Sequence, residues 1–195
     1  MNTSPGDTSK AGFDDALAAV NRALTGAVGA DRALLLKRAG DVCVAHGEPR
    51  RALPWYGKAV DQYLELGQPD QAAELCRLII SVQPDAVRAR CTLTWIALGA
   101  ERHAEVGWLL SDYVSAAIQA GQTALAERQL TWMFEATRSE STRARIVVGM
   151  LKLGETARAE SMAAELDGTR AIAGARDSDE LWARVLQAAV GAPVS

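Results

Sequence analysis

The sequence predicts an all-α chain of antiparallel helix–turn–helix repeats, on three observations. Ala, Leu, Arg and Glu dominate the composition, and these side chains lose little rotamer freedom in a helix. Glycines stand at Gly47, Gly67, Gly99, Gly121 and Gly154, each closing a stretch with apolar residues at helical spacing. Two near-copies of one pattern also follow each other: Gly47, Pro49, Ala52, Tyr56, Ala59, and then Gly67, Pro69, Ala72, Cys76, Ile79.

Taken in order, residues 1–11 mix Ser, Thr, Gly and Asp and read as a disordered tail. The repeat domain spans 12–167. Phe13, Leu17, Val20 and Leu24 line one face of a first helix, which Gly26 and Gly29 break. Asp31 can cap a second helix carrying Leu34 to Val44 and ending at Gly47. Pro49 and Pro69 suit the first turns of helices over 49–66 and 69–82, where the missing N–H has no intrahelical partner. Pro84 stops the second of these, and Pro54 inside the first predicts a kink. Helices follow over 86–98, 101–120, 123–137, 141–153 and 156–167, with Thr123 and Thr156 as caps. Residues 168–178 read as a loop. A last helix over 179–190 carries Leu181, Trp182, Val185, Leu186 and Ala189 on one side. Within 179–195 it is expected to cap the last repeat, or to join two copies into a homodimer, before a frayed end.

A net charge of −3 argues against a general nucleic-acid binder. No apolar run reaches 18 residues, so no membrane insertion is expected. The N-terminus carries no basic region followed by an apolar stretch, and an odd count of three cysteines does not make a secreted disulfide framework. A cytoplasmic protein is the expectation.

Aligned on the five glycines, the chain repeats in columns. Five residues on stand Ala52, Ala72, Ala104, Ala126 and Ala159. Three before stand Val44, Leu64, Ile96, Ile118 and Leu151; eight before, Ala39, Ala59, Cys91, Tyr113 and Ile146; nine after, Tyr56, Cys76, Trp108, Leu130 and Ala163. The glycine turns the chain, the alanine lets two helices approach, and the other columns fill the space between layers. A unit of this kind must stack on neighbours to bury its apolar face.

These columns resemble the tetratricopeptide repeat over residues 31–167. Gly40, Gly47, Ala52, Tyr56 and Ala59 match its small residue, turn glycine, alanine and aromatic positions; Gly67, Ala72 and Pro84, then Gly99, Ala104 and Trp108, match parts of further copies. The glycine spacings depart from the family by alternating short and long. The resemblance implies a right-handed superhelix with a concave groove, and a non-catalytic scaffold that binds another protein or an acidic peptide segment there. A regulatory protein holding a small ligand inside the superhelix is the alternative.

No phosphate loop, dinucleotide fingerprint, HExxH or GxSxG motif occurs, so no catalytic, cofactor or metal residues are expected. Cys43 and His46 form a CxxH pair that lacks two further ligands; His103 and Cys91 supply them on paper only. Most tryptophans read as core fillers at helical spacing. Trp55 is the exception, because it neighbours Tyr56 and the two cannot face the same side of a helix. Nine residues before each glycine stand Arg38, Lys58, Arg90, Asp112 and Arg145, four of the five basic, with Lys37 adjacent. Lys37, Arg38, Lys58, Arg90, Arg145 and Trp55 are therefore the candidate partner-binding residues, against the alternative of a solvated face.

Overall fold

The computed structural model describes residues 5–166, with side chains from Gly12 onward. Among the described residues there are nine helices and no strand: α1 (Pro5–Leu24), α2 (Gly29–Ala45), α3 (Pro49–Glu65), α4 (Pro69–Val82), α5 (Val87–Gly99), α6 (His103–Gln119), α7 (Thr123–Ala136), α8 (Glu140–Lys152) and α9 (Thr156–Ala163). α3 to α8 begin and end within two residues of the sequence-based limits. α1 starts at Pro5, so the tail expected over 1–11 does not extend past residue 4; proline fits a first helical turn. α3 runs unbroken through Pro54, where only the Arg50 carbonyl forfeits a helical donor. The loop expected over 168–178 and the last helix lie outside the described residues.

The chain divides into two compact units, with the boundary between Ala89 and Arg90. In the first unit α1, α2, α3 and α4 pack as successive hairpins. The α2–α3 register is set by Gly40, where a Cβ would overlap the Tyr56 ring, and by Tyr56 Oη donating to Asp41 Oδ1 at 2.9 Å. α1 is tied to the next two helices through Phe13, whose ring lies 5.2 Å from the His46 ring and 4.7 Å from the Arg51 guanidinium carbon. In the second unit α6 and α8 run side by side in the same direction. Thr142 Oγ1 meets His103 Nδ1 at 3.2 Å, the Arg145 guanidinium lies against Gly107, and Lys152 Nζ donates to Ser111 Oγ at 3.3 Å. α5 and α7 meet where Trp95 Nε1 donates to Gln129 Oε1 at 2.8 Å. Within the second unit α6 with α8, and α5 with α7, thus form two layers, as stacked hairpins require.

Five turns share one geometry. Gly47, Gly67, Gly121 and Gly154 have positive φ, and so does Glu101 at 54°. At each, the turn residue's N–H donates to the carbonyl three back and the next N–H to the carbonyl five back from itself. Gly47 to Val44 (3.0 Å) with Glu48 to Cys43 (2.9 Å), and Glu101 to Leu98 (3.1 Å) with Arg102 to Ala97 (2.9 Å), are two of the five. This is the Schellman closure. The third turn is therefore carried by Glu101, not Gly99, which corrects the column alignment by two residues. Ala104, expected in the close-packing column, is exposed, and Val106 takes its place at 0% exposure beside Ala52, Ala72, Ala126 and Ala159. Trp108, expected in the core, is exposed, and Leu110 is buried instead. Thr92 displaces Arg90 from the basic column. In the column three before each turn Val44, Leu64 and Ile118 are exposed, because a helix already burying Cys43, Tyr63 and Ala117 one residue earlier turns its next side chain away, while Leu98 is buried and Leu151 half-buried.

This register makes a prediction. Glu101 occupies a conformation that costs an L residue about 1–2 kcal/mol and glycine almost nothing. Glu101→Gly should stabilise the chain by about 0.5–1 kcal/mol after the entropy of glycine is counted, whereas Gly121→Ala should destabilise it by about 1–2 kcal/mol. Urea unfolding measures both; a Glu101→Gly variant less stable than the parent would defeat the assignment.

Candidate functional site

The six candidate residues divide between the units. In the first, Lys37 is bound to its own helix, with Nζ 2.8 Å from Asp41 Oδ2; Asp41 is shared with the Tyr56 hydroxyl. Arg38 is exposed and has no ion pair among the described residues. In the register that seats Tyr56 over Gly40, position 38 of α2 is level with position 58 of α3. Lys58 is exposed, and its Nζ lies 5.3 Å from the centroid of the Trp55 ring. Trp55 is half-buried while Tyr56 is 2% exposed, as their adjacency on a helix demands. The α2–α3 hairpin thus brings two cations to one level, one of them over a partly open indole.

In the second unit Arg90 Nη1 is 3.0 Å from Asp112 Oδ2, and the arginine side chain is only 19% exposed. Asp112, which looked like an interruption of the basic stripe, is a counterion of one of its members. Arg145 is half-buried, packed along the glycine face of α6. Arg90 on α5 and Arg145 on α8 belong to helices of opposite layers, so this unit does not gather them on one face.

Two exposed aromatics were not legible as such. Trp108 is 55% and Trp132 53% exposed, although both read as core fillers. For Trp132 a signal existed: α7 buries Leu130, Met133 and Phe134, and a helix that turns these inward turns position 132 outward. Indoles presented this way are the usual raw material of binding hot spots. In the first unit a cleft of about 340 Å³ is lined by Arg50, Leu53, Val82, Gln83, Pro84 and Asp85. None of these residues is buried, so the cleft is a surface feature.

The CxxH pair is occupied otherwise. Cys43 is fully buried, and His46 Nδ1 donates to the Val42 carbonyl at 2.9 Å while its ring packs on Phe13. His103 shares its bond with Thr142. All three thiols are free. Burial pushes Cys76 up to about 12 and Cys91 up to about 11, and raises Cys43. A thiol protonated at neutral pH is a poor nucleophile and a poor metal ligand. Among the described residues no group of three metal-ligating side chains converges, and no helix is long and apolar enough to cross a membrane.

No family model and no curated protein matches this sequence. Among solved structures, a tetratricopeptide repeat protein from Parabacteroides merdae ATCC 43184 is similar over 94% of this chain and 82% of its own, at 13% identity and a TM-score of 0.28. A superposition that loose carries no weight here; the helix–turn–helix repeat is established by the turns, layers and buried columns of the chain itself.

Proposed function

We propose that this chain is a non-catalytic scaffold that binds an acidic segment of another protein, with the α2–α3 hairpin as its contact surface. The observation that carries this reading is Lys58 stacked on the partly open indole of Trp55, with a second exposed cation, Arg38, on the adjoining helix of the same hairpin. Exposed ion pairs contribute only about 0–1 kcal/mol each. Trp55 therefore supplies the anchor, while the cations set the sign of the partner and Arg38 bonds a carboxylate in bidentate fashion. Lys37, Arg90 and Arg145 stand behind these three: the first two are committed to Asp41 and Asp112, and the third lies along Gly107. Three free thiols support a reducing, cytoplasmic setting, and the acidic net charge supports a protein partner over a nucleic acid.

The test is a displayed random-peptide library screened with the wild type and with an Arg38→Glu, Lys58→Glu variant, both checked for helicity by circular dichroism. The wild type should select Asp- and Glu-rich segments beside an apolar residue. The variant should lose that preference, and Trp55→Ala should weaken binding of a selected peptide at least tenfold. Identical selections from both proteins would sink the proposal.

A further inference from the structure

The carboxylates of α6 and α8 are all engaged. Asp112 holds Arg90, Glu105 meets Arg102 at 3.7 Å and Glu140 meets Arg143 at 4.0 Å; no other Asp or Glu stands on either helix. Arg145 and Lys152, both on α8, are left without an ion pair among the described residues. Both reach across to α6. The Arg145 guanidinium fills the notch at Gly107, where a Cβ would overlap it, and Lys152 Nζ donates to Ser111 Oγ at 3.3 Å. Withdrawing a charge from water is costly unless it is paired, so a half-buried, unpaired guanidinium marks a place for an anion. Gly107 and Ser111 are four residues apart on α6, about 6 Å along its axis. Charge-assisted bonds run at about 2.7–2.9 Å, so one anion set between the two heads reaches both. Ser111 Oγ accepts from Lys152 and keeps its own hydrogen for donation. Trp108, 55% exposed, adjoins Gly107 and stands three residues before Ser111, a neighbouring position on a helix.

We infer that this seam between α6 and α8 is a phosphate-recognition site, and that its occupant is a phosphoserine or phosphothreonine segment of a partner protein. The phosphoryl group of such a residue carries a charge of about −1.5 to −2 and three acceptor oxygens. That charge answers two unpaired cations, and the oxygens answer a guanidinium, an ammonium and a hydroxyl. A carboxylate brings a single charge and two oxygens. Trp108 gives an apolar residue beside the phosphoresidue a face to pack on, which free phosphate would leave unused. The inference does not rest on the α2–α3 hairpin, since every residue it uses belongs to the second unit.

Degenerate peptide libraries with a fixed central phosphoserine, glutamate or serine, captured on the immobilised full chain, test this. The phosphoserine library should be retained about tenfold over the serine library, and the glutamate library little more than the serine one. Gly107→Ala should erase the preference by displacing the guanidinium while keeping its charge. Circular dichroism and urea unfolding should show that variant as folded and as stable as the parent or more so, because alanine is the better helix former. Arg145→Gln should erase the preference too. The Arg38→Glu, Lys58→Glu variant should keep it, which separates failure here from failure of the α2–α3 reading. Equal retention of the phosphoserine and glutamate libraries, undiminished preference in a folded Gly107→Ala variant, or capture of vesicles bearing phosphoinositides without any phosphopeptide preference would each overturn the inference.

Discussion

Gly40→Leu should destabilise the chain by about 3 kcal/mol, the upper part of the range for overpacking a core. A Cβ at position 40 would already overlap the Tyr56 ring, and it would approach Cζ to 2.9 Å. The ring cannot swing away cheaply. It is buried at 2% exposure, and its hydroxyl donates to Asp41, the carboxylate that also holds Lys37. Helix propensity acts in the opposite direction, since glycine is about 1 kcal/mol worse than alanine in a helix interior. Gly57 isolates that term: it lies in α3, and a Cβ there meets nothing. Gly57→Ala should therefore stabilise the chain by about 0.5–1 kcal/mol. Trimming the ring in a Gly40→Leu, Tyr56→Ala double variant should return part of the loss, as a favourable coupling of about 0.5–3 kcal/mol. Urea unfolding of the parent, Gly40→Leu, Tyr56→Ala, their double variant and Gly57→Ala decides the matter; additive effects of the Gly40→Leu and Tyr56→Ala single variants would show that the glycine and the ring are not in contact.

The same glycine shows how far the sequence could be read. Its place in the pattern with Gly47, Ala52, Tyr56 and Ala59 was visible only through the resemblance to the tetratricopeptide repeat, whose small position in the first helix it matches. Turn positions were legible wherever glycine carried the positive φ, at Gly47, Gly67, Gly121 and Gly154. The third was not, because Glu101 carries that φ while Gly99, two residues earlier, sits at the end of α5 with no such demand. That slip put Ala104 and Trp108 inside and placed Arg90 on the basic column. It also hid the recurrence of the turns, from Gly47 to Glu101 and from Gly67 to Gly121 at 54 residues and from Glu101 to Gly154 at 53. The pairing of Arg90 with Asp112 was beyond reach for a different reason: the residues are 22 apart, on antiparallel helices, and only the register of that hairpin brings them together. Lys58 on Trp55 was closer to legible, since positions three apart on a helix are neighbours.

On α7 the inward and outward sides should separate sharply under truncation. Leu130→Ala is expected to cost about 2–5 kcal/mol, the range for emptying a packed core site. Leu130 is 0% exposed, and its Cδ1 lies 3.2 Å from where a Cβ on Gly149 would stand, so it fills the space between α7 and α8. Trp132→Ala removes a larger side chain, yet should cost about 0.5 kcal/mol or less, because that indole is already 53% exposed. The order of the two effects is thus the reverse of the order of the volumes removed. Thermal and urea unfolding of both variants measure it. A Trp132→Ala loss equal to that of Leu130→Ala would place the indole in the core and withdraw it as a surface for partners. The expected result leaves a folded variant that lacks one exposed anchor. Its affinity for a peptide selected on the wild type then reports whether the second unit takes part in binding, since a true hot-spot tryptophan costs about 2 kcal/mol or more when truncated.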